Sequence, residues 1–478
     1  MHAGFLNRYR LIVLILVAIA ARGLTFGNPV VHADEEFYYV TAHEMWRGAL
    51  PFIDIWDRKP IGLFLLYLPA ARLPLPWGIF AYQAMATAAL VLTALIVARL
   101  AARAGWGAGA MAAAIGYILW PDLINGVGGQ SPIFYNLPMA AAGLLIVSGE
   151  NGGGLPHRRG VAAMALVGIA LQIKYSAVFE GVYFGLWLMW REWHAHRRLP
   201  ATLAYGAMLA AIALVPTAMA WGFYAAIGQS DAFLFANFLS IEHRNANPLP
   251  EMLGNIGTLV LLLGPLVAMA FAARRQEAVG GSGAARRFLF GWLGAALAGL
   301  ALFGTWFDHY GLPVLVPGCA CAAGFFGARR FRGRVAPAVL GLVAIGGLAT
   351  VLAHIHGRGN ATQFAALAQA VGRGPGCLYV YSGTTMLYAA TERCRLSRYI
   401  VPAHLNRARE NGATGADQAG EVRRILAARP AVVVMRPPFN GERPEIRALV
   451  SAAVTRDYRL ADRLPMGDET ISVYKLRR

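Results

Sequence analysis

Long apolar runs recur through the first three quarters of this 478-residue chain, and they leave few architectures open. A run of about 20 apolar residues is long enough to cross a bilayer. Charged residues make up only 14% of the chain, where about 25% is usual for soluble proteins. The mean hydropathy is +0.48. A disordered chain and an ordinary soluble enzyme are both excluded, and a polytopic α-helical membrane protein is the expected class. The formal charge of +18 would suggest nucleic acid in a soluble protein. In a membrane protein the basic residues set orientation instead, and no nucleic-acid partner is expected.

The first apolar run, 11–25, follows Arg8 and Arg10. No small-x-small cleavage site follows it, and an acidic cluster and further spans do. It therefore reads as a first transmembrane helix entering from the cytoplasm, not as a signal peptide. Further spans fall near 77–98, 106–124, 133–149, 160–174, 176–190, 201–227, 252–272, 288–306, 310–327 and 335–356, about eleven in all. The two on either side of Lys174 are short enough to invite a reading as one tilted helix.

Charge arbitrates. Arg99 and Arg103, then His157 to Arg159, then Arg191, Arg197 and Arg198, then Arg274, Arg275, Arg286 and Arg287, then Arg329 to Arg334 mark every second loop as basic. The intervening loops hold Asp34, Glu35, Glu36, Asp54, Asp57, Asp231, Glu242 and Asp308. Basic loops are cytoplasmic by the positive-inside rule. Merging the spans around Lys174 breaks the alternation, so two are expected. The count puts the N-terminus in the cytoplasm and the C-terminus outside, in the periplasm of a Gram-negative inner membrane. The glycine-rich stretches 149–154 and 280–283 read as flexible cytoplasmic loops.

Composition changes after about His356. No run in 357–478 is long enough to span, and strand-like 377–381, helix-like 419–428, buried-strand-like 431–435 and a last strand at 471–475 suggest a small α/β domain. The expected division is a membrane domain, 1–356, with an external loop at 28–76, followed by a soluble periplasmic domain, 357–478. Of four cysteines, Cys319 and Cys321 sit in a span as small packing residues. Cys377 and Cys394 lie in the external domain, where an oxidising compartment permits a disulfide and leaves it open.

The most informative segment is 32–66, HADEEFYYVTAHEMWRGALPFIDIWDRKPIGLFLL. Two stretches in it, 36–47 and 61–68, read as interfacial helices. Asp34, Glu35 and Glu36 follow the first span and are followed by Phe37, Tyr38 and Tyr39, aromatics that suit the headgroup level. The bland reading of the acids is a solvated loop end. A second polar knot, Asp57-Arg58-Lys59-Pro60, begins 23 residues after Asp34. A carboxylate takes a proton from an acceptor, and cations hold a phosphate leaving group. Lys59 is one of three lysines against forty arginines, so composition alone does not explain it.

These residues resemble membrane glycosyltransferases of the GT-C fold. The motif is DE-x-x-Y (Asp34, Glu35, Tyr38), then R-G-x-L-P-F-x-D (47–54), then R-K-P (Arg58, Lys59, Pro60). The likeness is to the branch of protein O-mannosyltransferases and the lipid A aminoarabinose transferase. The turn Lys174-Tyr175-Ser176 and the segment opening Asp308-His309-Tyr310 support it. The chain departs from the pattern at Ile61, where a second proline is usual, and at Phe37, where the aminoarabinose branch carries arginine. The resemblance implies inverting transfer of a sugar from a polyprenyl-phosphate donor to a lipid, glycan or protein acceptor on the external face. Asp34 corresponds to the family's catalytic aspartate, a general base, and Lys59 to the residue that contacts donor phosphate. A lipid-linked donor needs no nucleotide site, and the chain shows no glycine-rich phosphate loop.

The candidates are then Asp34 and Glu35 for catalysis, and Lys59, Arg58, Tyr38, Arg22, Lys174, His309 and Tyr310 for substrate. Arg22 near the end of the first span either neutralises phosphate, pairs with Asp34 or snorkels to the interface. Glu242, His243 and Arg244 read as a solvated charge run. No cofactor is required; Asp34 beside Glu35 leaves a divalent metal open. The other functional class is a transporter or lipid flippase. It needs ionisable groups near the bilayer midplane, and only Arg22, Lys174 and Glu180 approach that description.

Overall fold

The computed structural model describes residues 9–148, 157–276 and 280–477; Arg8 and the 149–154 loop lie outside them. The chain is mostly helical. Each expected span coincides with a helix. Seven of the described helices are long and apolar enough to cross a membrane. Four others, Arg10–Arg22, Ala110–Leu123, His157–Ile173 and Val178–His196, are shorter or more polar. The last two are separate helices: Lys174 is extended, and a single turn, Tyr175–Ala177, leads into the second. Leu203, Leu214 and Met219 on Leu199–Ala226 stay exposed, as lipid-facing side chains do.

The chain divides into two compact units. The first is Met1–Leu24, Ala84–Met219 and Pro248–Val351, and among its described residues the regular elements are helices. Helix Leu315–Gly327 is buried along almost its whole length, which its small residues allow. A Cβ on Gly109 would lie 1.9 Å from the Ala323 carbonyl oxygen, so the two backbones touch only because glycine stands there. Trp292, Phe288, Tyr117 and Tyr135 fill the core, with Cys319 and Cys321 fully buried as packing residues.

The second unit is Thr25–Gln83, Ala220–Asn247 and Leu352–Arg478. Its sheet has the order β1-β2-β4-β3, with β1 Leu378–Val380, β2 Val432–Met435, β3 Tyr458–Met466 and β4 Glu469–Leu476. β1 and β2 run parallel, and β4 is antiparallel to both its neighbours. β2 is central and buried throughout, which explains its unbroken VVVM. Helix Gln418–Ala427 lies between the parallel strands in the chain. Several elements have no counterpart in the expectations, among them helices Ala361–Val371, Met386–Thr391, Ala403–Asn406 and Pro444–Asp457 and strand β3. Cys377 and Cys394 form a disulfide beside β1.

The 28–76 segment folds into two short helices. We call Ala33–Met45 α1 and Ile61–Ala71 α2. They pack through edge-to-face aromatic pairs, Phe37 on Phe64 at 5.7 Å and Tyr38 on Tyr67 at 5.6 Å. That packing gives both helices a fixed place although neither is long enough to span.

Candidate active site

The acidic triplet forms the first turn of α1. His32 caps it: the backbone N–H of Asp34 donates to His32 Nδ1 at 3.2 Å. Carboxylates there meet the positive end of the helix dipole. Helical geometry then separates the three acids. Asp34 is half-buried, whereas Glu35 and Glu36 are buried. Asp34 and Tyr38, four apart, share one face.

The knot Asp57-Arg58-Lys59 is a tight turn leading into α2. Asp57 Oδ1 accepts from the backbone N–H groups of Arg58 at 2.6 Å and Lys59 at 3.0 Å. The turn sends the two cations to different places. Lys59 Nζ stays 3.6 Å from Asp57 Oδ1 and 5.8 Å from the centre of the Tyr38 ring, partly open to solvent. The turn thus brings Lys59 to Tyr38, which shares a helix face with Asp34.

Arg58 turns into the protein. Its guanidinium lies over Trp56 at 4.9 Å and donates to Ser240 Oγ, Glu410 Oε2 and the Ala413 carbonyl. Glu410 is buried and also pairs with Arg244 at 3.0 Å. Burial pushes the Glu410 carboxyl up, but Arg58 and Arg244 outweigh it and hold it below its ordinary range. Arg244 is therefore not part of a solvated run; its side chain is only 14% exposed. Asp57 Oδ2 also faces His404 Nε2 at 3.6 Å. Burial pushes the His404 imidazole down to about 4, against the attraction of Asp57.

Glu36 faces the other way. It accepts from Arg358 at 2.9 Å, from the Thr384 hydroxyl at 2.6 Å and from the Thr385 N–H at 3.2 Å. Burial raises its carboxyl pKa despite those donors. Sequence reading did not single out Arg358, Glu410 or His404. They lie more than 300 residues along the chain from Glu36, Arg58 and Asp57, and no local spacing announces them.

The remaining candidates belong to the helical unit. Arg22 is buried and donates to the carbonyls of Gly126, Val127 and Gly128, so it does not snorkel. Lys174 Nζ lies 4.3 Å from the Tyr310 ring centre, and both line a cavity with Tyr135 and Glu180. His309 Nδ1 is 3.5 Å from Asp308 Oδ1, and its ring stands edge-on to Tyr310 at 4.7 Å. Among the described residues no group of three or more His, Cys, Asp or Glu side chains is arranged to hold a metal ion.

No family model and no curated protein sequence matches the chain. Solved structures do. ArnT from Cupriavidus metallidurans bound to undecaprenyl phosphate superposes with a TM-score of 0.66 at 13% identity, covering 99% of this chain and 98% of that one. The apo form gives 0.64 at 14%, covering 98% of each chain. The Archaeoglobus fulgidus oligosaccharyltransferase, solved with zinc and sulfate, gives 0.50 at 14%, covering 89% of this chain and 67% of its own. At such low identity the likeness is one of fold, and it extends over nearly the whole chain: this protein has the GT-C fold.

Proposed function

We propose that the chain is an inverting glycosyltransferase of a bacterial inner membrane. It moves a sugar from a polyprenyl-phosphate donor to an envelope acceptor, whether lipid A, a glycan or a protein, at the periplasmic face. The N-terminus is cytoplasmic, and the 357–478 domain is periplasmic and works with the membrane domain 1–356. The observation that carries this reading is Lys59 lying 5.8 Å from the ring of Tyr38, one helical turn from Asp34 on α1, within a fold like that of ArnT. The undecaprenyl phosphate bound to ArnT supports a polyprenyl donor. The alternating basic loops support the orientation, and the Cys377–Cys394 disulfide supports an oxidising compartment.

The step is a single displacement. The Asp34 carboxylate takes the proton from an acceptor hydroxyl as its oxygen attacks the anomeric carbon. The bond from that carbon to the phosphate oxygen breaks on the opposite side, and the polyprenyl phosphate leaves with the electron pair. Lys59 stabilises the charge on the departing phosphate, which is where electrostatic help is worth most. Tyr38 backs the Lys59 ammonium by a cation–π contact. Arg58 and Asp57 hold the turn that presents Lys59. Glu35 supports the acidic turn. In the helical unit Arg22 fixes the 126–128 backbone, and Lys174, His309 and Tyr310 are assigned substrate contacts.

Purified protein in nanodiscs, given a radiolabelled undecaprenyl-phosphate sugar and envelope extract, tests this. Label moving from the polyprenyl lipid to a second component supports the reading. Label that only changes leaflet, with no new glycoside, points to a flippase and contradicts it.

A further inference from the structure

We infer that the sheet domain binds an anionic saccharide chain in the groove between helix Pro444–Asp457 and the β3–β4 hairpin. The site shares no residue with the candidate active site, and its existence does not rest on the proposed reaction. The strand pattern makes the groove. In β4, Ile471 and Val473 are buried, so Thr470, Ser472 and Tyr474 face the opposite side of the sheet. Register sets Leu460 of β3 against Tyr474 and Arg463 against Ser472, on that same side. Helix Pro444–Asp457 turns Ser451 and Thr455, four apart and so on one face, toward them. Between the helix and the hairpin lies an open cavity of about 740 Å³, within the roughly 300–1,000 Å³ of ligand sites.

The lining selects the chemistry. Every charged side chain in it is an arginine: Arg436, Arg447, Arg459, Arg463 and Arg477. Two of these are matched, Arg436 by Glu469 at 3.3 Å and Arg447 by Glu442 at 2.6 Å. Arg477 reaches the carbonyls of Arg456 and Thr455 at 3.3 and 3.4 Å, while Asp457 is held by Arg456 at 2.8 Å. The guanidiniums of Arg459 and Arg463 are exposed and make no ion pair or hydrogen bond among the described residues. Asp462, between them in the chain, stands against Val473 and so belongs to the other face. Charges on an edge strand such as β3 also guard it against strand addition, but either sign serves that purpose, and here one sign alone lines the groove. A free guanidinium fork fits an oxyanion. The hydroxyls of Ser451, Thr455, Thr470, Ser472 and Tyr474 likewise have no partner among the described residues, and none is sealed from the cavity. A row of open hydroxyls between cations suits a chain that carries hydroxyls and anions together; an apolar partner would leave them unpaired.

Titration calorimetry on the full-length protein in nanodiscs of zwitterionic lipid tests this with a mannuronate tetramer. Maltotetraose serves as the uncharged saccharide and tetraglutamate as the anion without a sugar. The mannuronate tetramer is expected to bind at least tenfold tighter than either, and to weaken as salt is raised. The double variant Arg459→Gln/Arg463→Gln is expected to raise its Kd at least tenfold at unchanged thermal midpoint. A footprint on the unaltered protein accompanies it: phenylglyoxal modification of Arg459, Arg463 and Arg477, read by mass spectrometry, is slowed by the mannuronate tetramer and not by maltotetraose. Tetraglutamate that binds as tightly marks an acidic protein partner and overturns the assignment to a saccharide. No binding of the mannuronate tetramer, or binding that the variant leaves unchanged and that protects none of the three arginines, overturns the site. Binding is read without turnover, so a chain that binds here but transfers no sugar counts against the proposed function and not against this groove.

Discussion

The ammonium of Lys59 stands 5.8 Å from the centre of the Tyr38 ring, and Tyr38 lies one helical turn beyond Asp34 on the same face of α1. Two motifs 23 residues apart in the chain are thereby brought to one place. The cause is local. Phe37 and Tyr38 pack on Phe64 and Tyr67, which sets α2 against α1 and leaves the turn that begins α2 within reach of Tyr38.

Lys59→Ala is expected to raise the KM for a polyprenyl-phosphate sugar about 10- to 100-fold, the worth of a charge-assisted hydrogen bond of about 1.5–3 kcal/mol. Lys59→Arg keeps the charge and recovers part of the loss. Initial rates against donor concentration in nanodiscs check this. A KM unchanged within twofold in the alanine variant removes Lys59 from donor binding.

Arg58 and Glu410 are expected to behave as one structural unit. The pair is mostly buried, at 2.8 Å, and breaking a buried pair leaves a charge without its match. Thermal or denaturant unfolding of Arg58→Ala, Glu410→Ala and the double variant should give a coupling of about 1–3 kcal/mol. Additive losses would show that Arg58 acts independently of Glu410.

His404 gives the unfolding free energy an acid limb. An unfolded histidine takes its proton near 6.5, the folded one only near 4. Its contribution is therefore complete above about pH 6.5 and is lost as pH falls toward 4, by about 1.4 kcal/mol per pH unit at the steepest. Glu410, held below its ordinary 4.5, loses its own contribution only at still lower pH. Unfolding curves of wild type and His404→Gln between pH 7 and 4 should diverge in slope, with the variant flatter. Parallel curves would mean that His404 takes its proton as readily in the folded state as in the unfolded one.

The disulfide closes a short loop in the sheet domain, with a sequence separation of 17. Replacing Cys377 and Cys394 by serine is expected to cost about 3 kcal/mol. Protein purified from membranes without reductant should show both residues protected from maleimide, read by peptide mass spectrometry. Labelling of both at full stoichiometry contradicts the external placement of the domain.

The helices of the membrane part were legible because a span announces itself by length, and because arginines punctuate alternate loops. The split at Lys174 was decided by that punctuation. α1 was legible from aromatic and apolar residues mixed with polar ones, and α2 from an apolar run after Pro60 too short to span. The sheet domain was read in part. β1 and β2 are plain apolar strands, but β3 alternates weakly and carries Arg459, Asp462, Arg463 and Pro465. Its turn is Gly467-Asp468, a two-residue hairpin connection with Gly467 at φ +66, which the sequence reading did not use. The site was read where it is local. Arg244 looked like a solvated charge because nothing near it in the chain foretells Glu410, and Glu410 in turn meets Arg58 across 352 positions of sequence. Long-range ion pairs leave no periodic trace.

The most direct test of the account is single-turnover sugar transfer by Asp34→Asn. The amide keeps the size of the carboxylate, leaves the backbone N–H that His32 caps in place and cannot take a proton. With wild-type thermal midpoint and unchanged binding of undecaprenyl phosphate, the variant is expected to transfer sugar at least about 10²–10⁴-fold more slowly. Transfer within threefold of wild type under the same conditions would remove the proton acceptor on which the proposed chemistry depends.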